Sequence, residues 1–156
     1  MKDIYNTNLC LIELCLKMAL DKVYENDLHL ITAKVNERSI VYKFATYLQE
    51  IIKSTEYHEY DVDVEYNRAG YTKKTTPSKP NGIIPDLIIH KRGSDTNNIL
   101  VLEFKTEWNR NQETDEKKII ELIDKSGNYK YKYGATILIC KDKPYIKWIK
   151  RDFQPK

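Results

Sequence analysis

Apolar residues recur along the chain first with a helical period, then with a period of two. Between Asn8 and Tyr24, Leu9, Ile12, Leu16, Leu20 and Val23 fall at helical spacing, with Cys15 and Met18 widening the stripe. This predicts a helix, with Thr7 or Asn8 as its cap. Asn26 and Asp27 mark its end, and Leu28–Ile31 is a short apolar connector of undetermined type. A second helix is predicted over Val35–Lys53, where Ile40, Val41, Phe44, Ala45, Leu48, Ile51 and Ile52 make a broad apolar face. From Tyr60 to Arg68 the period becomes two: Tyr60, Val62, Val64 and Tyr66 alternate with Asp61, Asp63, Glu65 and Asn67, as in a half-exposed strand. Gly70–Gly82 carries Pro77, Pro80, Lys73, Lys74 and Lys79 and reads as a mobile, basic loop.

Two further strands, joined by a polar turn over Arg92–Asn98, account for Ile83–Lys105. A helix follows from Asp115 to Lys125, with Thr114 as cap, Ile119, Ile120, Leu122 and Ile123 as packing face, and Gly127 as terminator. Tyr129–Tyr133 alternates tyrosine and lysine. Ala135–Cys140 is a continuous apolar run suited to a central strand, and Tyr145–Ile149, with Trp148, to an edge strand. The order is helix, helix, three strands, helix, two strands. Its natural packing is an α/β fold with a mixed central sheet flanked by helices. No linker or repeat divides it, so residues 1–156 are expected to form one domain.

Composition adds limits. With 156 residues, 41% of them hydrophobic, the chain supports one sizeable core. A formal net charge of +3 is too small to argue for nucleic acid, so any positive surface is local. No apolar run is long enough to span a bilayer and no leader pattern is present, which gives the expectation of a cytoplasmic protein without a membrane partner. Cys10, Cys15 and Cys140 sit among Leu and Ile with no CxxC pair and are expected to be reduced core thiols.

The candidate chemistry lies in GIIPDLIIH and ILVLEFKTE. In an extended chain Glu103 and Lys105 share a face that begins with the apolar Ile99 and Val101, and a hairpin brings Asp86 near Glu103. Charges in mostly apolar strands cost desolvation unless paired or coordinating a metal. An Asp86–Lys105 ion pair is the structural explanation, and it leaves Glu103 without a purpose. The metal reading uses all three. Asp86 and Glu103, helped by the carbonyl of Phe104, hold Mg2+ (or Mn2+), while Lys105 orients or deprotonates a water for attack on a phosphodiester. Glu37, on the apolar side of the second helix, either satisfies that helix's N-terminal amides or reaches toward the metal. His90 shares a face with Asp86 and is expected to be a sheet-edge residue rather than a ligand.

A helix glutamate, then Pro85–Asp86, a hairpin, and Glu103–Phe104–Lys105 together resemble the PD-(D/E)xK nuclease superfamily, over about Val35–Cys140. The resemblance implies a restriction-endonuclease-like core, α-β-β-β-α-β, with the first helix an addition. It also implies Asp86 and Glu103 as magnesium ligands, Lys105 as the catalytic lysine and Glu37 as the auxiliary carboxylate. Many members place a further Gln or Lys on the helix after ExK, for which Lys117 and Lys118 are the candidates. The activity so implied is metal-dependent phosphodiester hydrolysis, in DNA rather than RNA, with homodimers common. No separate specificity domain is visible, which points to a structure-dependent or relatively nonspecific enzyme. Substrate contacts are expected from Arg68, Lys73, Lys74, Lys79, Lys130 and Lys132. Tyr129, Tyr131 and Tyr133 either stack on bases or cover the sheet or a dimer interface. The alternative function is a nuclease-like module that binds nucleic acid or protein without turnover.

Overall fold

The computed structural model describes residues 2–109 and 115–150. Helix α1 spans Lys2–Asn26, α2 Leu28–Thr32 and α3 Glu37–Ile52. Strands β1 (Asp61–Val64), β2 (Arg68–Ala69), β3 (Thr72–Lys73), β4 (Leu87–His90) and β5 (Leu100–Thr106) precede α4 (Asp115–Ile123). Strands β6 (Tyr133–Ile139) and β7 (Pro144–Trp148) follow it.

Five strands form one mixed sheet in the order β1-β4-β5-β6-β7; β2 and β3 make a separate hairpin. β1, β4 and β5 are antiparallel neighbours, β5 and β6 run parallel around the α4 crossover, and β7 returns antiparallel. The expected mixed sheet flanked by helices is therefore present. Alternation along β4 and β5 divides the core in two. Leu87, Ile89, Leu100, Leu102 and Phe104 pack toward α1 and α3. Ile88 and Val101 pack on the other side with Ile119, Leu122 and Ile123 of α4. Phe104 meets Phe44 of α3 edge to face, with 5.1 Å between ring centroids. α4 approaches β6 closely because Gly134 has no side chain; a Cβ there would run into the methyl groups of Ile119 and Ile123.

Several boundaries differ from expectation for identifiable reasons. α1 runs through Thr7 and Asn8 instead of being capped by them, since no proline or glycine interrupts its first turns. Met18 lies on its outer side, 44% exposed, and so does not widen the buried stripe; Cys10 is likewise exposed, whereas Cys15 is buried. The connector after α1 closes one helical turn, α2, that buries Ile31. α3 has the predicted face, with Ile40, Val41, Phe44, Ala45, Leu48 and Ile52 buried. Its cap is Asn36, whose side chain accepts from the Arg38 amide. β1 ends at Val64 because Glu65 takes a left-handed backbone (φ 50°), so the strand does not reach Arg68. Its outer edge is covered by Gln49 of α3, which accepts from the Val62 amide and donates to the Tyr60 carbonyl. α4 stops at Ile123, and Ile120 points outward at 45% exposure instead of joining its packing face. Thr114, expected as its cap, lies outside the described residues.

The supposed mobile loop is tied down. Tyr129 bonds both the amide and the carbonyl of Thr75, and Glu121 of α4 accepts from the amide and hydroxyl of Ser78. Its first residues belong to the β2–β3 hairpin, where Arg68 pairs with Lys73.

Candidate functional site

Asp86 stands one residue before β4, where Pro85 and the polar loop give way to the apolar strand. The register pairs Leu87 with Leu102, so one step further Asp86 faces Glu103 across the β4–β5 hairpin, on the α4 side of the sheet. Asp86 is half-buried, and its Oδ2 accepts from the Phe104 amide at 2.7 Å. A residue in a ladder directs its N–H and C=O to the same edge, so the Phe104 carbonyl also faces the Asp86 side.

Glu103 is nearly sealed: its side chain is 3% exposed. A carboxylate taken out of water at such a position costs several kcal/mol, about what a close, well-bonded cation offsets. That cation is Lys118 of α4, whose Nζ lies 2.6 Å from Glu103 Oε1 and also donates to the Ile84 carbonyl at 2.6 Å. Of the two candidates on the helix after ExK, Lys118 reaches the site and Lys117 is exposed. Lys105 is half-buried and shares the Glu103 face of β5, as its spacing required.

Glu37 lies in the first turn of α3 and is half-buried. It lines a cleft of about 220 Å3 together with Asp86, Tyr42, Val64, Arg38 and Glu65. Arg38 and Glu65 close one side as an ion pair at 2.7 Å. Both readings of Glu37 thus have a basis, one in its position in the helix and the other in the cleft it shares with Asp86. Glu103 is not part of that cleft. Asp86 is the hinge between two half-sites, one shared with Glu37 and one with Glu103. Among the described residues no three His, Cys, Asp or Glu side chains lie close enough together to hold a metal ion. The expected convergence of three carboxylates is therefore not observed. What remains is the Asp86–Glu103 pair with hard oxygen donors, which suits magnesium's habit of taking one or two carboxylates and filling its shell with water and phosphate oxygens.

The expected basic contacts divide. Arg68, Lys79, Lys130 and Lys132 are exposed. Lys73 is exposed but donates to the Asn81 carbonyl at 2.8 Å. Lys74 is not available to a phosphate. It is 1% exposed, and its Nζ donates to Tyr131 Oη at 2.7 Å and stands 5.0 Å from the Tyr129 ring centroid and 5.1 Å from that of Tyr131. Burial, opposed by the charge of Asp95, pushes its pKa down to about 8. Tyr129 and Tyr131 are consequently covering residues and do not stack on bases, while Tyr133 opens β6. His90 is 3% exposed and bonds Asp63 at 2.8 Å. Burial pushes the Asp63 carboxyl up, but hydrogen bonds from His90 and Arg92 outweigh it and hold the group well below the usual range. That cluster fastens β1 to β4 and the start of the following turn.

No protein-family model and no curated protein matches the chain. Among solved structures, the crystal structure of SSO0001 is similar at 14% identity and a TM-score of 0.39, over 90% of this chain and 65% of that one. The chain thus spans less than two thirds of that protein's length, and a likeness this weak carries neither fold nor function across. No helix of the described residues is long and apolar enough to cross a membrane.

Proposed function

We propose that the protein is a metal-dependent nuclease with a restriction-endonuclease-like core, acting on DNA in preference to RNA. The observation that carries the reading is the opposition of Asp86 and Glu103 across β4 and β5, with the buried Glu103 held against Lys118 and with Lys105 on the same face. A structural sheet face has little use for that investment of charge. The order α3, β1, β4, β5, α4, β6 supports the α-β-β-β-α-β core.

Asp86 and Glu103 are the residues that would hold magnesium or manganese. When bound, the ion would neutralise charge on the phosphodiester and acidify a water. Lys105 supplies a second positive charge beside the phosphate and a donor to the attacking water. Glu37 acts on the far side of Asp86, where the shared cleft lets it bond water. Lys118 holds Glu103 in place through their ion pair.

A second reading, a binding module without turnover, is favoured by the position of Lys118, which sets an ammonium where a cation would bind Glu103. One experiment separates them. Supercoiled, linear, single-stranded and branched DNA, together with RNA, are incubated with the protein with and without magnesium or manganese. Parallel titration calorimetry follows metal uptake. The nuclease reading expects metal-dependent cleavage that Lys105→Ala abolishes while metal uptake persists. Metal uptake absent, and every polynucleotide intact, would refute it.

A further inference from the structure

We propose that the substrate strand is unpaired where it meets the protein, with Tyr42 and Tyr71 as the stacking platforms for its bases. This rests on the nuclease reading and names the class of nucleic acid it acts on.

Exposed apolar side chains gather around Asp86. Of the nine large hydrophobic residues exposed on the described surface, Tyr42, Val64 and Ile84 belong to segments that border it. Tyr42 (63% exposed) and Val64 (38%) line the same cleft as Asp86, and Ile84 (50%) precedes it by two residues. A duplex offers phosphates outward and keeps its base faces stacked inside, so an aromatic ring beside a phosphate-cutting site finds no base face to stack on. An unpaired strand presents base faces, on which aromatic rings stack without regard to sequence. The cleft of about 220 Å3 holds roughly seven waters' worth of volume, room for one base.

The β2–β3 hairpin gives an independent observation. Gly70, with φ +56°, and Tyr71 form its turn, and Tyr71 is fully exposed at the tip. Immediately behind the tip Arg68 stands opposite Lys73. Lys73 is held by the Asn81 carbonyl, and the exposed Arg68 is the cation beside the tip that a strand phosphate would meet. A ring beside a cation matches the repeat of base and phosphate in a single strand. The hairpin follows the site along the chain, which leaves β1 at Glu65, whose amide bonds the Asp86 carbonyl. Tyr71 is six residues further, at most about 20 Å of chain.

The test is fluorescence anisotropy with a short labelled single-stranded deoxyoligonucleotide, its ribonucleotide equivalent, and the blunt deoxy duplex, all in EDTA so that nothing is cut. Single strands are expected to bind more tightly than the duplex. Tyr42→Ala and Tyr71→Ala are each expected to weaken single-strand binding about tenfold, with the salt dependence unchanged, whereas Tyr→Phe at either position retains it. Both tyrosines are exposed, so these variants should fold, which their melting temperatures check. Duplex bound as tightly as single strand, single-strand binding indifferent to both alanine variants, or no binding to any probe overturns the proposal. Tyrosine-dependent single-strand binding without cleavage on adding magnesium sustains it and removes the nuclease reading. Cleavage with intact binding in both alanine variants does the reverse.

Discussion

Lys74 should make the protein more stable as the medium becomes alkaline, the opposite of an ordinary paired lysine. Its ammonium is buried among Tyr66, Tyr129 and Tyr131, and its hydrogen bond goes to a phenol and not to a carboxylate. Ring faces attract the charge, by about 2 kcal/mol when desolvated. Loss of water outweighs that and lowers the pKa to about 8, from 10.5 when exposed. Because the folded value is depressed, the unfolded chain holds the extra proton between those two values. Stability therefore rises with pH in that window, with a limiting slope of about 1.4 kcal/mol per unit. Integrated from about pH 7 to about pH 9.5, the gain is about 2 kcal/mol, or roughly 4–8 °C in melting temperature. Above about pH 10 the buried tyrosines reverse the trend. Burial raises Tyr57 to about 12 and Tyr131 further, so their contribution is complete below the unfolded value of 10 and is lost as pH climbs through the folded one. Urea unfolding followed by tryptophan fluorescence, on wild type and on Lys74→Met at several pH values across the window, measures the difference directly. Other groups titrate equally in both proteins and cancel. The wild type should gain about 2 kcal/mol on the variant between the two ends. Parallel stability curves would refute the claim that burial of this ammonium outweighs the charge of Asp95.

Three further perturbations test the framework. Lys118→Met removes the ammonium beside the sealed Glu103 and should cost about 3 kcal/mol in urea unfolding. If Asp86 and Glu103 hold a metal, magnesium should raise the melting temperature of this variant more than that of wild type; equal shifts would argue against a cation at that pair. Gly134→Ala drives a methyl group into Ile119 and Ile123 and should destabilise by about 1–3 kcal/mol, with no loss expected if α4 sits further from β6 than observed. Asp63→Asn should be less stable than wild type at neutral pH. Since the folded carboxyl titrates below its unfolded value, that deficit is present above about pH 4 and should shrink as the pH falls below it. A deficit constant down to about pH 2 would mean the charge is not what holds β1 to β4.

Repeating patterns were legible in the sequence; partnerships between distant segments were not. The face of α3 is written at helical spacing over four turns, and each of its predicted core positions is buried except Ile51, which is half-buried. β5 and the Asp86–Glu103 opposition follow from alternation and a hairpin turn. Lys74, by contrast, is the second of two adjacent lysines in a loop rich in threonine and proline, and nothing local distinguishes it from Lys73. Its burial depends on Tyr131, 57 residues later, and the anchoring of the loop depends on Tyr129 and Glu121 at similar separations. Two-residue strands such as β2 and β3 are too short to display a period. The early end of β1 is a backbone event at Glu65, a residue type that seldom signals a left-handed conformation.

The position of Asp86 ties these observations together. The chain leaves the sheet at Glu65 and re-enters it at Asp86, and the amide of the first bonds the carbonyl of the second. Everything between, including the β2–β3 hairpin and the anchored loop, hangs from that closed point. Lys118 bonds the Ile84 carbonyl at the loop's return and Glu103 on the neighbouring strand, while Glu121, nearly one turn along the same helix face, holds Ser78. α4 therefore clamps the excursion and fixes the carboxylate with one face. If a strand binds at Tyr71 and a metal at Asp86 and Glu103, Lys118 is the contact between the two regions, and any change that one makes in the affinity of the other is returned by the same factor, which magnesium titrations with and without a single-stranded oligonucleotide measure.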